Sequence, residues 1–147
     1  MPTPLIKAVK KRIEKYKNTP TGQASEQEIT IVDVSPGTSC PMVEAVKGSD
    51  YCILVTEPTP FGLNDLFLAV EVLKKLKISF GVIINRSDIG DRKVERYCNK
   101  ENIQILMRIP FDREIARTYS NGIPIVEAIP KYRQDFAKLY EKICTFP

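Results

Sequence analysis

The sequence predicts a three-layer α/β protein, with a mostly parallel sheet of about four strands and helices on both faces. Three observations carry that expectation. Apolar, largely β-branched runs at residues 28–33, 51–56, 80–85 and 103–109 read as strands covered on both faces. The stretches between them hold apolar residues at helical spacing. Strands alternating with helices require crossover connections, and therefore parallel pairing.

Thr3-Pro4 is a good helix start, an N-cap followed by proline at the first helical position. Leu5, Ile6, Val9, Ile13 and Tyr16 then form one apolar stripe, which predicts a basic helix over about residues 4–17. Residues of about 18–28 are polar, contain Pro20 and Gly22, and read as a flexible loop. After the strand ending at Asp33, a short helix is expected over 41–46, closed by Gly48. Leu63, Leu66, Phe67, Val70, Leu73 and Leu76 mark a long amphipathic helix whose last turn is rich in lysine. Asp91 is expected to cap a helix burying Val94, Tyr97 and Cys98. Asp112 is expected to cap one that runs to Asn121 and stops at Gly122. Tyr132, Phe136, Leu139, Tyr140 and Ile143 supply a last amphipathic helix.

With 147 residues, 43% of them hydrophobic and 27% charged, the chain fits one globular domain over 1–147. No apolar run approaches 18 residues, and the basic start lacks an apolar core, so neither a membrane span nor a secretory signal is expected. Cys40, Cys52, Cys98 and Cys144 are widely spaced with no C-x-x-C pair, which fits reduced thiols and a cytoplasmic location. The absence of histidine excludes Ser-His and Cys-His nucleophiles. Residues 1–17 carry six lysine or arginine side chains against Glu14, a net +5 within a chain total of +4. Only Tyr16 interleaves those charges, so a solvated helix face is the simpler reading than a nucleic-acid or membrane surface.

The chemistry concentrates at strand ends. Asp33 closes an apolar strand and is followed by a Pro36-Gly37 turn. Such an aspartate can hold magnesium through water, and such a turn can offer an N–H to a terminal phosphate. The plainer alternative is an aspartate capping the next turn. Asn85-Arg86 follows the third expected strand, and an asparagine amide can donate and accept at once, although asparagine also simply forms turns. Pro110-Phe111-Asp112 ends the fourth, where Asp112 also serves as a helix cap, and Thr56-Glu57 ends the second. Cys40 follows Gly37 at a helix start, but it has no histidine or nearby second cysteine to work with.

Asp33-Val34-Ser35-Pro36-Gly37-Thr38-Ser39-Cys40-Pro41 resembles the switch motif of MinD/ParA-type ATPases, in their ferredoxin-bearing nucleotide-binding branch. The likeness continues through Glu44 to Asp50, Thr56-Glu57-Pro58-Thr59-Pro60-Phe61-Gly62 and Val82-Ile83-Ile84-Asn85-Arg86. It extends to Ile109-Pro110-Phe111-Asp112 and Tyr119-Ser120-Asn121-Gly122-Ile123-Pro124. The resemblance implies a partial P-loop NTPase fold, with ATP and Mg²⁺ as cofactors. It assigns Asp33 and Gly37 to catalysis and Asp33 also to the metal. Pro36, Thr38, Glu57, Asn85, Arg86, Pro110, Phe111 and Asp112 fall around the nucleotide, with Asn85 reading adenine and Pro110 flanking the base.

One departure stands out. No G-x-x-x-x-G-K-[ST] phosphate loop occurs, and the family's clustered cysteines are missing, so no iron–sulfur cluster is expected in this chain. The chain looks like the C-terminal part of such an ATPase, not active alone. Its expected partner is a second copy, as a homodimer, or a companion polypeptide carrying the phosphate loop. In the family the phosphate-loop strand lies between the strands ending at Asp33 and Thr56, so a gap or open edges should result. The alternatives are a non-catalytic interaction remnant of a truncated or split gene, or a receiver-like phosphoacceptor. Against the receiver stand the lack of an acidic pair on an earlier strand and Asn85-Arg86 where a lysine is wanted.

Overall fold

A computed structural model describes residues 3–17 and 29–145, and the loop expected at about 18–28 lies outside them. The chain divides into two compact units, Met1–Ser49 and Asp50–Pro147.

In the first unit, helix α1 (Thr3–Lys17) packs on the short helix α2 (Cys40–Val46). Lys10 ties them together. Its ammonium donates to the carbonyls of Glu44 at 3.0 Å and Ala45 at 2.9 Å, and also to that of Lys47. Those carbonyls close the C-terminal end of α2, where the helix dipole favours a cation. One lysine of the basic segment is therefore a structural fastener. The strand expected to end at Asp33 does not form: residues 29–35 take no regular secondary structure, and Ile31 is 89% exposed. β-branched residues favour extended backbone, but a strand exists only where a neighbour completes its ladder.

In the second unit the order is β1 (Tyr51–Thr56), α3 (Pro60–Leu76), β2 (Ser79–Asn85), α4 (Lys93–Lys100), β3 (Ile105–Ile109), α5 (Arg113–Ser120), α6 (Ile125–Ala128) and α7 (Pro130–Cys144). Among the described residues the sheet has three strands in the order β1-β2-β3, and both pairings are parallel. The α/β class with a parallel sheet therefore holds, with one strand fewer than about four. β1 meets β2 in continuous register from Tyr51 opposite Ser79 to Thr56 opposite Ile84. Between β2 and β3 the step from Val82 to Ile83 spans Ile105 to Met107, which makes Leu106 the additional residue of a bulge.

Alternation along β2 sends its side chains to opposite faces. Val82 and Ile84 pack with Leu66 and Val70 of α3 and with Val94 and Cys98 of α4. Ile83 packs on the other face with Leu106 and with Leu139 of α7. Helices thus cover both faces, as the apolar runs require. Helix α3 begins with the Thr59 hydroxyl accepting from Gly62 N–H at 3.0 Å and with Pro60 in its first turn. It ends at Lys77 in the left-handed region, φ 57°, with Lys74 and Lys75 beside the free carbonyls.

Leu66 is 3% exposed at the centre of the first cluster. Leu66→Ala is expected to cost about 2–5 kcal/mol of stability in urea unfolding followed by circular dichroism. A loss below about 1 kcal/mol would contradict this core assignment.

Candidate functional site

Parallel strands deliver their C-terminal ends to one rim, the usual ligand position in an open α/β sheet. Here β1 delivers Glu57-Pro58, β2 delivers Asn85-Arg86, and β3 delivers Pro110-Phe111-Asp112. The amide Nδ2 of Asn85 donates to Glu57 Oε1 at 3.3 Å, and Arg86 Nε lies 3.5 Å from the same oxygen. Arg86 takes a left-handed conformation, φ 49°, and its guanidinium lies over the Phe111 ring, 5.7 Å from the centroid. Phe111 is 45% exposed. Its backbone N–H donates to Asp88 Oδ1, 2.6 Å, so the loop after β2 holds the one after β3.

Two glycines lock the turn that carries Glu57. A side chain on Gly62 would place its Cβ 2.3 Å from the Glu57 carbonyl oxygen. A side chain on Gly90 would reach 2.1 Å from the Pro58 carbonyl oxygen, and Gly90 also has φ 99°. The first turn of α3 and the β2–α4 loop therefore close on the Glu57-Pro58 backbone from two sides. Thr56, buried at the end of β1, donates its hydroxyl to the Gly62 carbonyl at 2.9 Å and completes the lock. Gly90 and Asp88 were not among the residues singled out from the sequence, and Gly62 appeared there only as the end of the Thr56–Gly62 stretch. The Ser87-Asp88-Ile89-Gly90 pattern is a turn signal, but it does not reveal which backbone comes close.

The remaining carboxylates of the rim are engaged locally. Asp112 Oδ1 accepts from Glu114 N–H at 2.8 Å as the cap of α5. Asp91 accepts from the Lys93 N–H at 2.8 Å and pairs with its ammonium at 2.9 Å. The Lys93 side chain, then its N–H, hold the Asp91 carboxyl below the usual range. A cavity of about 220 Å³ opens beside them, lined by Pro58, Ile84, Ser87, Asp88, Val94 and Glu95 among others. It is smaller than the usual small-molecule pocket.

Asp33, Pro36, Gly37 and Thr38 belong to the first unit. Gly37 has φ 110° and open space around its α-carbon among the described residues, so the turn presents backbone rather than side chain. Cys40 and Cys144 are exposed thiols, whereas burial pushes the Cys98 thiol up to about 11. Among the described residues no group of three or more cysteine, aspartate or glutamate side chains is placed to hold a metal ion, and no helix is long and apolar enough to cross a membrane.

The layered sheet and its rim define a partial P-loop NTPase-like arrangement. No protein-family model matches the chain. An uncharacterized protein of Methanocaldococcus jannaschii is 34% identical over 125 residues, 85% of this chain and 41% of the relative. An iron-sulfur cluster carrier protein of Pyrococcus horikoshii is 29% identical over 79% of this chain and 45% of its own length. Among solved structures, the MinD cell division protein of Aquifex aeolicus superposes with a TM-score of 0.73 over 97% of this chain and 62% of that one, at 21% identity, a likeness of fold. The cell division ATPase MinD of Pyrococcus furiosus gives 0.62 at 30% identity, over 76% of this chain and 49% of that one. The chain belongs to the MinD/ParA superfamily of P-loop ATPases. It spans less than half the length of the curated relatives it matches.

Gly90→Ala is expected to destabilise the protein by about 2–4 kcal/mol, since both the contact and the positive φ oppose a Cβ. Gly122→Ala, with φ 71° but nothing within 4 Å of the new Cβ, should cost only about 1 kcal/mol. Equal losses in chemical denaturation would show that the clamp on Pro58 contributes nothing.

Proposed function

We propose that the chain supplies the switch segment and the adenine-side residues of a MinD/ParA-like nucleotide-binding ATPase, as one partial domain, while the phosphate loop is carried on a companion polypeptide. The observation that carries this reading is the Asn85 amide held by Glu57 at the end of β2, on the same rim of strand ends as the half-exposed Phe111 ring. An amide that can donate and accept, on one rim with an aromatic ring, fits a purine base. Glu57, Arg86, Pro110 and Asp112 frame that position. Pro36 and Thr38 are proposed to lie beside the nucleotide, with Gly37 offering its N–H to the terminal phosphate.

The fit stops at the base. Mg²⁺ is usually bound through one or two carboxylates together with substrate phosphates. Asp33 is its proposed carboxylate, but these 147 residues contain no G-x-x-x-x-G-K-[ST] loop to hold the phosphates. Asp33 and Gly37 are therefore proposed to act only once such a loop is contributed, and no hydrolytic step follows for the chain alone. Base contacts by themselves support affinity no better than about millimolar. Calorimetry with Mg-ATP should show no micromolar binding, and phosphate release should stay at background. Micromolar affinity lost in Asp33→Ala would overturn the proposal in favour of a self-sufficient ATPase.

A reading as an interaction module draws on a different observation. β1 lies at the sheet edge, and its Ile53 and Val55 are 41% and 65% exposed. Open edges with apolar side chains favour pairing with another chain. Leu5 and Val9 of α1 are also exposed. A homodimer is the commonest closed form, so light scattering at low micromolar concentration should give about twice the chain mass of 16.7 kDa. Val55→Lys should return the protein to a folded monomer. A wild-type chain that is already monomeric would rule the homodimer out.

A further inference from the structure

We infer that residues 29–33 of one copy add as a strand to the open edge of β1 in a second copy, and that two copies exchange this segment reciprocally. The inference rests on the homodimer reading and names what fills the edge.

The acceptor is one edge of the sheet. Among the described residues β1 pairs only with β2. Val55 stands opposite Ile83 and Ile53 opposite Gly81, so both side chains lie on the face that α7 packs against. Helix α7 sits over Ile83 and Leu106, and Ile53 and Val55 stay open to solvent. The other edge is blunted. A bulge at Leu106 interrupts β3, and the Lys142 ammonium donates to the Leu106 carbonyl at 3.2 Å. Bulges and lysines are the usual means by which a sheet edge resists further pairing. Strand β1 has neither a lysine in its sequence nor a break in its register.

The donor is Ile29-Thr30-Ile31-Val32-Asp33. Its three apolar residues are exposed, Ile31 at 89%, and the segment forms no helix or strand. β-branched residues suit an extended backbone, which gains a ladder only from a neighbouring strand. Ile29 and Ile31 are two residues apart and share one face of a strand, the same spacing as Ile53 and Val55. Beside β1 they would extend the apolar face that Ile53 and Val55 begin. In strand addition of this kind, backbone bonds give affinity and alternate side chains give specificity.

Each chain therefore holds one donor segment and one acceptor edge, and in the described chain the two are not paired. Two copies satisfy both by exchange, with each segment laid on the partner's β1 in a closed two-fold arrangement. Direct pairing of β1 with β1 would cover the edges but leave both 29–33 segments exposed. That difference separates the two forms of homodimer.

The test combines light scattering with hydrogen exchange read by mass spectrometry, on the full chain at low micromolar concentration. Wild type, Val55→Lys and Ile31→Pro are compared. Ile31→Pro removes an N–H from the segment and lies outside every described helix and strand. Wild type should be a dimer whose residues 29–33 exchange about tenfold or more slowly than in monomeric Val55→Lys. Ile31→Pro should be a monomer. Exchange at 29–33 that is equally fast in wild type and Val55→Lys overturns the inference and leaves a β1-to-β1 homodimer standing, as does a dimer of Ile31→Pro. The exchange comparison needs no substitution in the segment, so it decides the matter even where Ile31→Pro misfolds. Masses that climb beyond twice the chain with concentration would mean open head-to-tail addition and overturn the reciprocal exchange. A monomeric wild type overturns the homodimer reading and the inference together, and leaves the edge to a companion polypeptide.

Discussion

The rim exists because β2 is paired on both edges in a register that brings three strand ends level. Thr56 stands opposite Ile84, and Asn85 opposite Ile109. The next residue of β1, Glu57, therefore emerges beside Asn85, and Pro110 follows where Arg86 leaves β2. A shift of one residue would turn every side chain of β2 to the other face, which two apolar layers forbid. Gly81 is part of the same constraint. A Cβ there would lie 2.6 Å from the Tyr51 hydroxyl oxygen and 2.7 Å from the Leu106 side chain, so β2 packs against its neighbours only without one. The bulge at Leu106 spends one extra residue of β3 and still brings Ile109 level with Asn85.

Much of this was legible because period and length are physical signatures that survive without context. The run at 51–56 is β1 itself, and 80–85 and 103–109 differ from β2 and β3 by one and two residues at their starts. The Asp112 cap and the left-handed Gly122 are local chemistry and were read as such. Residues 28–33 fit the strand pattern equally well, yet over the described residues 29–33 no strand forms. Composition states only that a segment would suit a ladder. Whether a ladder is available depends on other parts of a chain, and the family resemblance implies a phosphate-loop strand beside this segment, a strand whose loop motif these 147 residues do not contain. The four-residue helix α6 was also unread, being too short for any period to show.

At the site, residue identity was legible and mutual position was not. Glu57, the adjacent Asn85-Arg86 and Phe111 are separated by tens of residues, and only the register places them within reach of one another. The roles of Gly62 and Gly90 were hidden for a related reason. A glycine advertises freedom of backbone, but what approaches it belongs to another segment. Lys10 shows the converse. The sequence offers it as one of six cations on a basic helix, and packing converts it into the cap of a neighbouring helix.

The charges of the rim favour a base over phosphate. Asp88, Asp112 and Asp91 each accept a backbone N–H, and Glu57 accepts from Asn85 and faces Arg86. Every one of these carboxylates is spent on shaping loops, and the Arg86 guanidinium lies between Glu57 and an aromatic face. Phosphate affinity needs the reverse inventory, with several backbone N–H groups and lysines aimed at one point. Adding a triphosphate to this rim would bring its negative charge against that carboxylate set, with Arg86 already engaged. A flat neutral ring meets no such opposition, and the proposed base position draws on the half-exposed Phe111 ring and the Asn85 amide. The proposed division of labour, with the phosphate loop on a companion polypeptide, rests on this placement of donors and acceptors.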